Sequence, residues 1–249
     1  MKNLFKTPIV WSVVLTSLMF SCKKSENVAP DNTPGKTANK ITAAVTPIGT
    51  VTYTSAGYKL IFTNKSATFD DQERQNFVNT FFTVYPPMVS RFNSSATKTV
   101  TFVVDPAYTG VAATSNNITT FSPAWFSSNP ADYDVVTHEV MHIVQAYPGG
   151  TPGWVTEGLA DYSRYKFGVN NANAGWSLPA WSSSQNYTDS YRVTARFFAW
   201  LELHVNSSVL NNLNTICHNG TYSSSSTWTQ LTGKTVDQLW AQYSANPAL

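Results

Sequence analysis

The sequence predicts an α+β fold on three observations: strand-like segments crowd its first half, helical patterns dominate from Asp132 onward, and no internal repeat runs through it. Its 249 residues suit one domain. Only 12% of them are charged, about half the usual globular share of roughly 25%. Yet 8 Trp, 12 Tyr and 14 Phe supply ample apolar surface for a core, which excludes disorder throughout.

Gly49–Thr54 and Tyr58–Thr63, rich in Val, Tyr, Ile, Phe and Thr, read as two strands joined by the turn Ser55-Ala56-Gly57. Thr68–Tyr85 reads as a helix. Asp70, Asp71 and Glu73 suit its positive end, Phe77, Val78, Phe81 and Phe82 supply apolar positions, and Pro86-Pro87 stops it. Lys98–Asp105 alternates and is β-branched, hence a strand, and Asn117–Phe121 is a shorter one. Helices are expected at Tyr133–Tyr147, Trp154–Phe167, Ser190–Val205, Val209–Cys217 and Thr235–Ser244, the last opening on a Thr235/Gln238 capping box. Segments 170–188 and 218–226 are Ser, Asn and Gly-rich loops.

The amino terminus is of another kind. Lys2 and Lys6 precede the apolar run Ile9–Phe20, too short for the roughly 20 residues that span a bilayer, so residues 1–21 read as an export signal. Leu18-Met19-Phe20-Ser21-Cys22 resembles the lipobox of bacterial lipoproteins, in which the cysteine is lipidated and becomes the new terminus. Residues 22–44, almost without large apolar side chains, read as a flexible tether from Cys22, and 45–249 as the domain. The expected location is outside the cytoplasm, lipid-anchored to a bacterial outer membrane on its periplasmic or cell-surface side, as a monomer. With Cys22 lipidated, Cys217 has no partner and reads as a buried, inert thiol. Loss of Lys2 and Lys6 takes the 16 basic residues to 14, equal to the 14 acidic ones, and a neutral chain is a poor partner for nucleic acid.

The chemistry is concentrated in His138-Glu139-Val140-Met141-His142, an H-E-x-x-H pattern on a helix-like segment. A spacing of four puts both imidazoles on one helix face, while Val136, Val140, Ile143, Val144 and Tyr147 cluster opposite and give the helix a core to lie on. A catalytic zinc needs a third protein ligand and an open position for water. Glu157, fifteen residues past His142, supplies a carboxylate on the next helix, which the Pro148–Gly153 turn folds back beside the first. Asp161, one turn beyond Glu157, is placed to accept the spare N–H of a liganding histidine.

The His138–Gln145 run, the Pro152-Gly153 turn, Glu157–Arg164 and Tyr191–Phe197 together resemble the basic secretory protein family of plants and bacteria, over about Tyr58–Tyr243. That family is grouped with the thermolysin-like zinc peptidases of gluzincin type. The resemblance implies a thermolysin-like zincin: a small mixed β-sheet amino-terminal lobe, a helical carboxy-terminal lobe and the active-site helix between them. It implies one zinc ion held by His138, His142 and Glu157, with Glu139 as catalytic base and peptides or proteins as substrates. In such peptidases a short strand beside the metal pairs with the substrate, and Asn117–Phe121 occupies the corresponding place. Tyr191, which opens the third matching helix, is the expected oxyanion donor, with Tyr187, Tyr165 and His204 as alternatives and hydrogen-bonded packing as its bland role.

Arg164 and Arg196 read as structural, and His204 and His218 lack partners at ligand spacing. Trp125, Trp176, Trp181 and Trp228 either stack on sugars or, more commonly for aromatic residues, fold over a small core. The competing class is a non-catalytic, lipid-anchored, metal-containing surface module binding glycan or protein. Glu139 weighs against it, since a binding module has no use for a general base.

Overall fold

Strand alternation and a tight turn build the first element pair. β1 (Gly49–Ser55) and β2 (Tyr58–Asn64) pair antiparallel in the computed structural model, which describes residues 44–249. Their link is the two-residue turn Ala56-Gly57, with φ of 48° and 81°, as a type I′ hairpin requires. Ser55 therefore belongs to β1. The export signal, Cys22 and nearly all of the tether lie outside the described residues.

β3 (Thr99–Val104) runs parallel to β2 and to β5 (Ile118–Phe121), and β4 (Ala112–Ser115) closes the sheet antiparallel to β5, giving the order β1-β2-β3-β5-β4. The sheet is mixed, and Asn117–Phe121 corresponds to an inner strand, paired on both sides. This corrects the expectation that it is the substrate-pairing edge. The edge on this side of the sheet is β4, a strand of small residues without the β-branched alternation that marks the others. Asn116 and Asn117, with φ of 50° and 62°, form the second type I′ turn that joins it to β5.

Leu60, Phe62, Val100, Phe102, Val104 and Phe121 are at most 1% exposed and form one sheet face, packed on α1 (Asp71–Phe92). Phe81 meets Phe102 edge-on at 5.6 Å, and Phe77 meets Phe121 at 4.7 Å. Each such buried ring contributes about 1.5–3 kcal/mol. Asp70 caps α1 by accepting the Gln72 and Glu73 N–H groups.

Helix α1 continues through Pro86 and Pro87 to Phe92, against the expected stop at Tyr85. The prolines deprive the Phe82 and Thr83 carbonyls of their partners. Both prolines and both orphaned residues lie at the half-buried or exposed side of the helix, where water can satisfy those carbonyls. Met88, Val89 and Phe92 on the other side are buried in the core and carry the helix past the break.

The remaining helices are α2 (Pro123–Ser128), α3 (Val135–Gln145), α4 (Gly153–Phe167), α5 (Tyr191–His204), α6 (Val209–His218), α7 (Thr227–Thr232) and α8 (Val236–Ala245). The short α2 and α7 and a single 3-10 turn at Tyr187–Asp189 were not expected. The Thr235/Gln238 capping box of α8 is formed. α3 packs on α1, β4 and α4, and α4 packs on α5. At that last contact a Cβ on Gly158 would lie 2.3 Å from Thr194 Cγ2, so only glycine lets the helices approach this closely. Among the described residues no helix is long and apolar enough to cross a membrane.

Candidate active site

Val136, Val140, Ile143 and Val144 are buried on one side of α3, which turns His138 and His142 toward a cavity of about 790 Å³. Across from them α4 buries Val155, Leu159 and Tyr162 and presents Glu157 and Asp161. The result is three convergent donor atoms. His138 Nε2 lies 3.2 Å from His142 Nε2 and 3.2 Å from Glu157 Oε2, and His142 Nε2 lies 3.6 Å from the same oxygen. Ligands at 2.0–2.1 Å from a tetrahedral zinc stand about 3.3 Å apart, so this triangle is of the size a zinc ion requires. The three side chains keep 12%, 17% and 27% of their surface exposed, which leaves a side open toward the cavity.

The outer nitrogens of both histidines are engaged. His138 Nδ1 lies 2.7 Å from Asp161 Oδ1, and His142 Nδ1 lies 2.9 Å from Gln145 Oε1. Both acceptors demand Nδ1–H, which directs both Nε2 lone pairs to the common point. Gln145 also donates from Nε2 to the Thr156 carbonyl at 2.8 Å, tying the end of α3 to the turn of α4 that carries Glu157. Burial disfavours a charge on His138, but its hydrogen bonds to Asp161 and Glu157 outweigh this and raise its pKa to about 10. Burial likewise pushes Glu157 upward, and its contacts with the two histidines overcome that and hold it well below the usual carboxylate range.

Glu139, 6% exposed, lines the same cavity, and its Oε2 accepts a 2.8 Å hydrogen bond from Thr114 Oγ1 on the edge strand β4. Thr114 also contacts Thr119 Oγ1 at 2.8 Å, so the hydroxyl that steadies Glu139 is itself held by β5. Val111–Thr114 line the cavity beside it.

Tyr191 reaches the cavity from the start of α5, its ring lying nearly parallel to that of His138 with centroids 6.1 Å apart. The Glu157 charge, then burial, raise its pKa, so the phenol keeps its proton and can donate it in a hydrogen bond. Ser190 and Tyr191 have φ of 66° and 48°, a costly conformation for two consecutive non-glycine residues, and it is found where this side chain enters the site.

The alternatives lie elsewhere. Tyr187 donates to Asp237, His204 Nε2 lies 3.0 Å from the Ala248 carbonyl, and Tyr165 does not line the cavity. His218 Nδ1 lies 2.9 Å from the Gln145 carbonyl. Arg164 is buried against Asp132 and Asn171, and Arg196 donates to the Pro247 carbonyl. Cys217 is fully buried, and burial pushes its thiol up to about 11.

Gln145 and Thr114 are the side chains that reasoning from sequence did not assign. If Gln145 orients His142, Gln145→Leu should weaken zinc binding by about 10–100-fold in competition with a chromophoric chelator. An unchanged affinity would remove it from that role.

A family profile described as a peptidase of plants and bacteria matches residues 40–243. No curated protein matches the chain by sequence. Among solved structures, Legionella pneumophila aminopeptidase A, crystallised with aspartic acid, is similar over 78% of this chain and 27% of its own, at 12% identity and a TM-score of 0.54. An M1 zinc metallopeptidase from Deinococcus radiodurans is similar over 81% of this chain and 52% of its own, at 12% identity and a TM-score of 0.44. The chain thus spans about a quarter of the first protein and half of the second, and at 12% identity the likeness to the first is one of fold alone.

Proposed function

The chain belongs to the family of peptidases of plants and bacteria, and from that premise we propose that it is a zinc metallopeptidase with His138, His142 and Glu157 as the ligands of one ion and Glu139 as general base. The observation that carries the reading is the triangle of ligand atoms at 3.2–3.6 Å with Glu139 on the same helix face of one cavity. Zinc bound there would polarise the substrate carbonyl and lower the pKa of its water toward neutrality. Glu139 takes the proton of the attacking water and passes it to the departing amine, while Thr114 keeps the carboxylate aimed. Asp161 and Gln145 hold the two imidazoles in the tautomer that leaves Nε2 free. Tyr191 donates its phenolic hydrogen bond to the oxyanion as the carbonyl carbon becomes tetrahedral. The extended substrate adds to the free edge of β4, whose backbone supplies the pairing groups.

In this reading residues 45–249 are the peptidase domain, arranged like thermolysin with the sheet and α1 on one side of the zinc helix and α4 to α8 on the other. Residues 1–21 direct export, and Cys22 carries the lipid that tethers the domain to the membrane. Peptides or proteins are the substrates.

The test is mass spectrometry of a mixed peptide library incubated with the zinc-loaded full chain and with the chelated chain. Cleavage by the zinc-loaded chain alone supports the reading. No cleavage by a chain shown to hold zinc would turn it toward a metal-containing binding module. On a cleaved peptide, Tyr191→Phe should lower kcat by about 10²-fold with zinc content unchanged, and an unchanged kcat would take Tyr191 out of the mechanism.

A further inference from the structure

Resting on the peptidase reading, we propose that the cleft continues into a second binding pocket that selects substrate residues bearing a carboxylate, with Arg192 as its recognition group. The pocket holds about 490 Å³ and shares Val111, Val135 and Arg164 with the main cavity, so a chain lying along β4 passes from one into the other. Tyr191 lines the first and its neighbour Arg192 the second.

The charges lining this pocket are unequal. Its one carboxylate, Asp132, is satisfied twice: Arg164 Nη2 donates to Oδ1 and Trp125 Nε1 to Oδ2, at 2.5 and 3.0 Å. The Arg164 guanidinium is spent on that pair, on Asn171 and on the Trp176 ring, 4.6 Å from its carbon. Arg192 is exposed and, among the described residues, has neither an ion pair nor a hydrogen bond. The pocket therefore carries one uncompensated positive charge beside two indole walls, and a guanidinium so placed matches a carboxylate in two-pronged geometry. That carboxylate has two sources, an Asp or Glu side chain of the substrate or the free carboxyl terminus of a short peptide.

The experiment compares kcat/KM of the zinc-loaded full chain on matched peptides. One set carries Asp, Asn or Lys at each position flanking the cleaved bond, and the other ends in a free carboxylate or an amide. The parent should prefer the carboxylate in one of the two sets by about tenfold or more, expressed in KM. Arg192→Gln should erase the ratio, and Arg192→Glu should shift it toward Lys. The set in which the ratio moves identifies the source. Parent cleavage indifferent to charge in both sets, or a ratio unmoved by either variant, overturns the pocket and leaves the peptidase reading intact. An absence of cleavage by the zinc-loaded parent overturns both.

Discussion

Replacing Glu139 by glutamine is expected to lower kcat on any cleaved peptide by about 10²–10⁴-fold while zinc content stays at the parent level. The substitution keeps shape and volume at a position only 6% exposed, so packing along α3 is preserved. An amide oxygen can still accept the Thr114 hydroxyl that now bonds Oε2 at 2.8 Å. What disappears is the capacity to hold a proton. His138, His142 and Glu157 are untouched, so metal content by atomic absorption and turnover by peptide cleavage should separate cleanly. Full activity in the variant would overturn the assignment of the base, and loss of zinc with activity would show that Glu139 serves the metal instead.

The second large effect is on metal and stability together. His142→Ala and His138→Ala should each lose zinc and all measurable turnover. Zinc at a thousandfold above its Kd contributes about 4 kcal/mol of folding stability, which for a chain of this size is roughly 10 °C in Tm. Both variants should therefore melt near the chelated parent and fail to respond to added zinc. They should also differ from each other. His142→Ala strands a neutral amide oxygen, that of Gln145, whereas His138→Ala strands the carboxylate of Asp161, 4% exposed and without its 2.7 Å partner. A buried unpaired acceptor costs about 1–3 kcal/mol, and more when charged. His138→Ala should melt lower than His142→Ala with chelator present. Retained zinc in both would remove the two histidines from the ligand set.

The elements legible in the sequence are those whose pattern has a single physical reading. α3 advertises its two faces, valines on one and histidines on the other, and Tyr133–Tyr147 differs from the observed Val135–Gln145 only at frayed ends. α1 outruns its expected end because proline is, locally, a stop signal. The burial of Met88, Val89 and Phe92, which overrides it, is a tertiary effect that no local window contains. β4 is silent for the opposite reason: Ala112–Ser115 has almost no local strand preference and exists because β5 pairs with it. Its one sequence signal is the Asn116-Asn117 pair, the turn chemistry of a type I′ hairpin. At the site, the spacing of His138, His142, Glu157 and Asp161 was readable because both helices are regular. Gln145 was visible as part of a run but its two hydrogen bonds were not, since one of them crosses to another helix. Thr114 could not be found from sequence at all, because its contact with Glu139 spans twenty-five residues and a strand that was not foreseen.

Where a substrate strand adds to β4 as proposed, the brevity of that strand limits what can be bound. Four residues offer about 13 Å of pairing edge, enough to grip a stretched oligopeptide and nothing wider. A helix or an inner strand, whose amide groups are already paired, has none to offer such an edge, so in that reading regular folded segments are poor substrates. Access is thus governed by the target's own breathing. Under that proposal frayed tails, damaged loops and released fragments fit the edge, and intact folded segments do not.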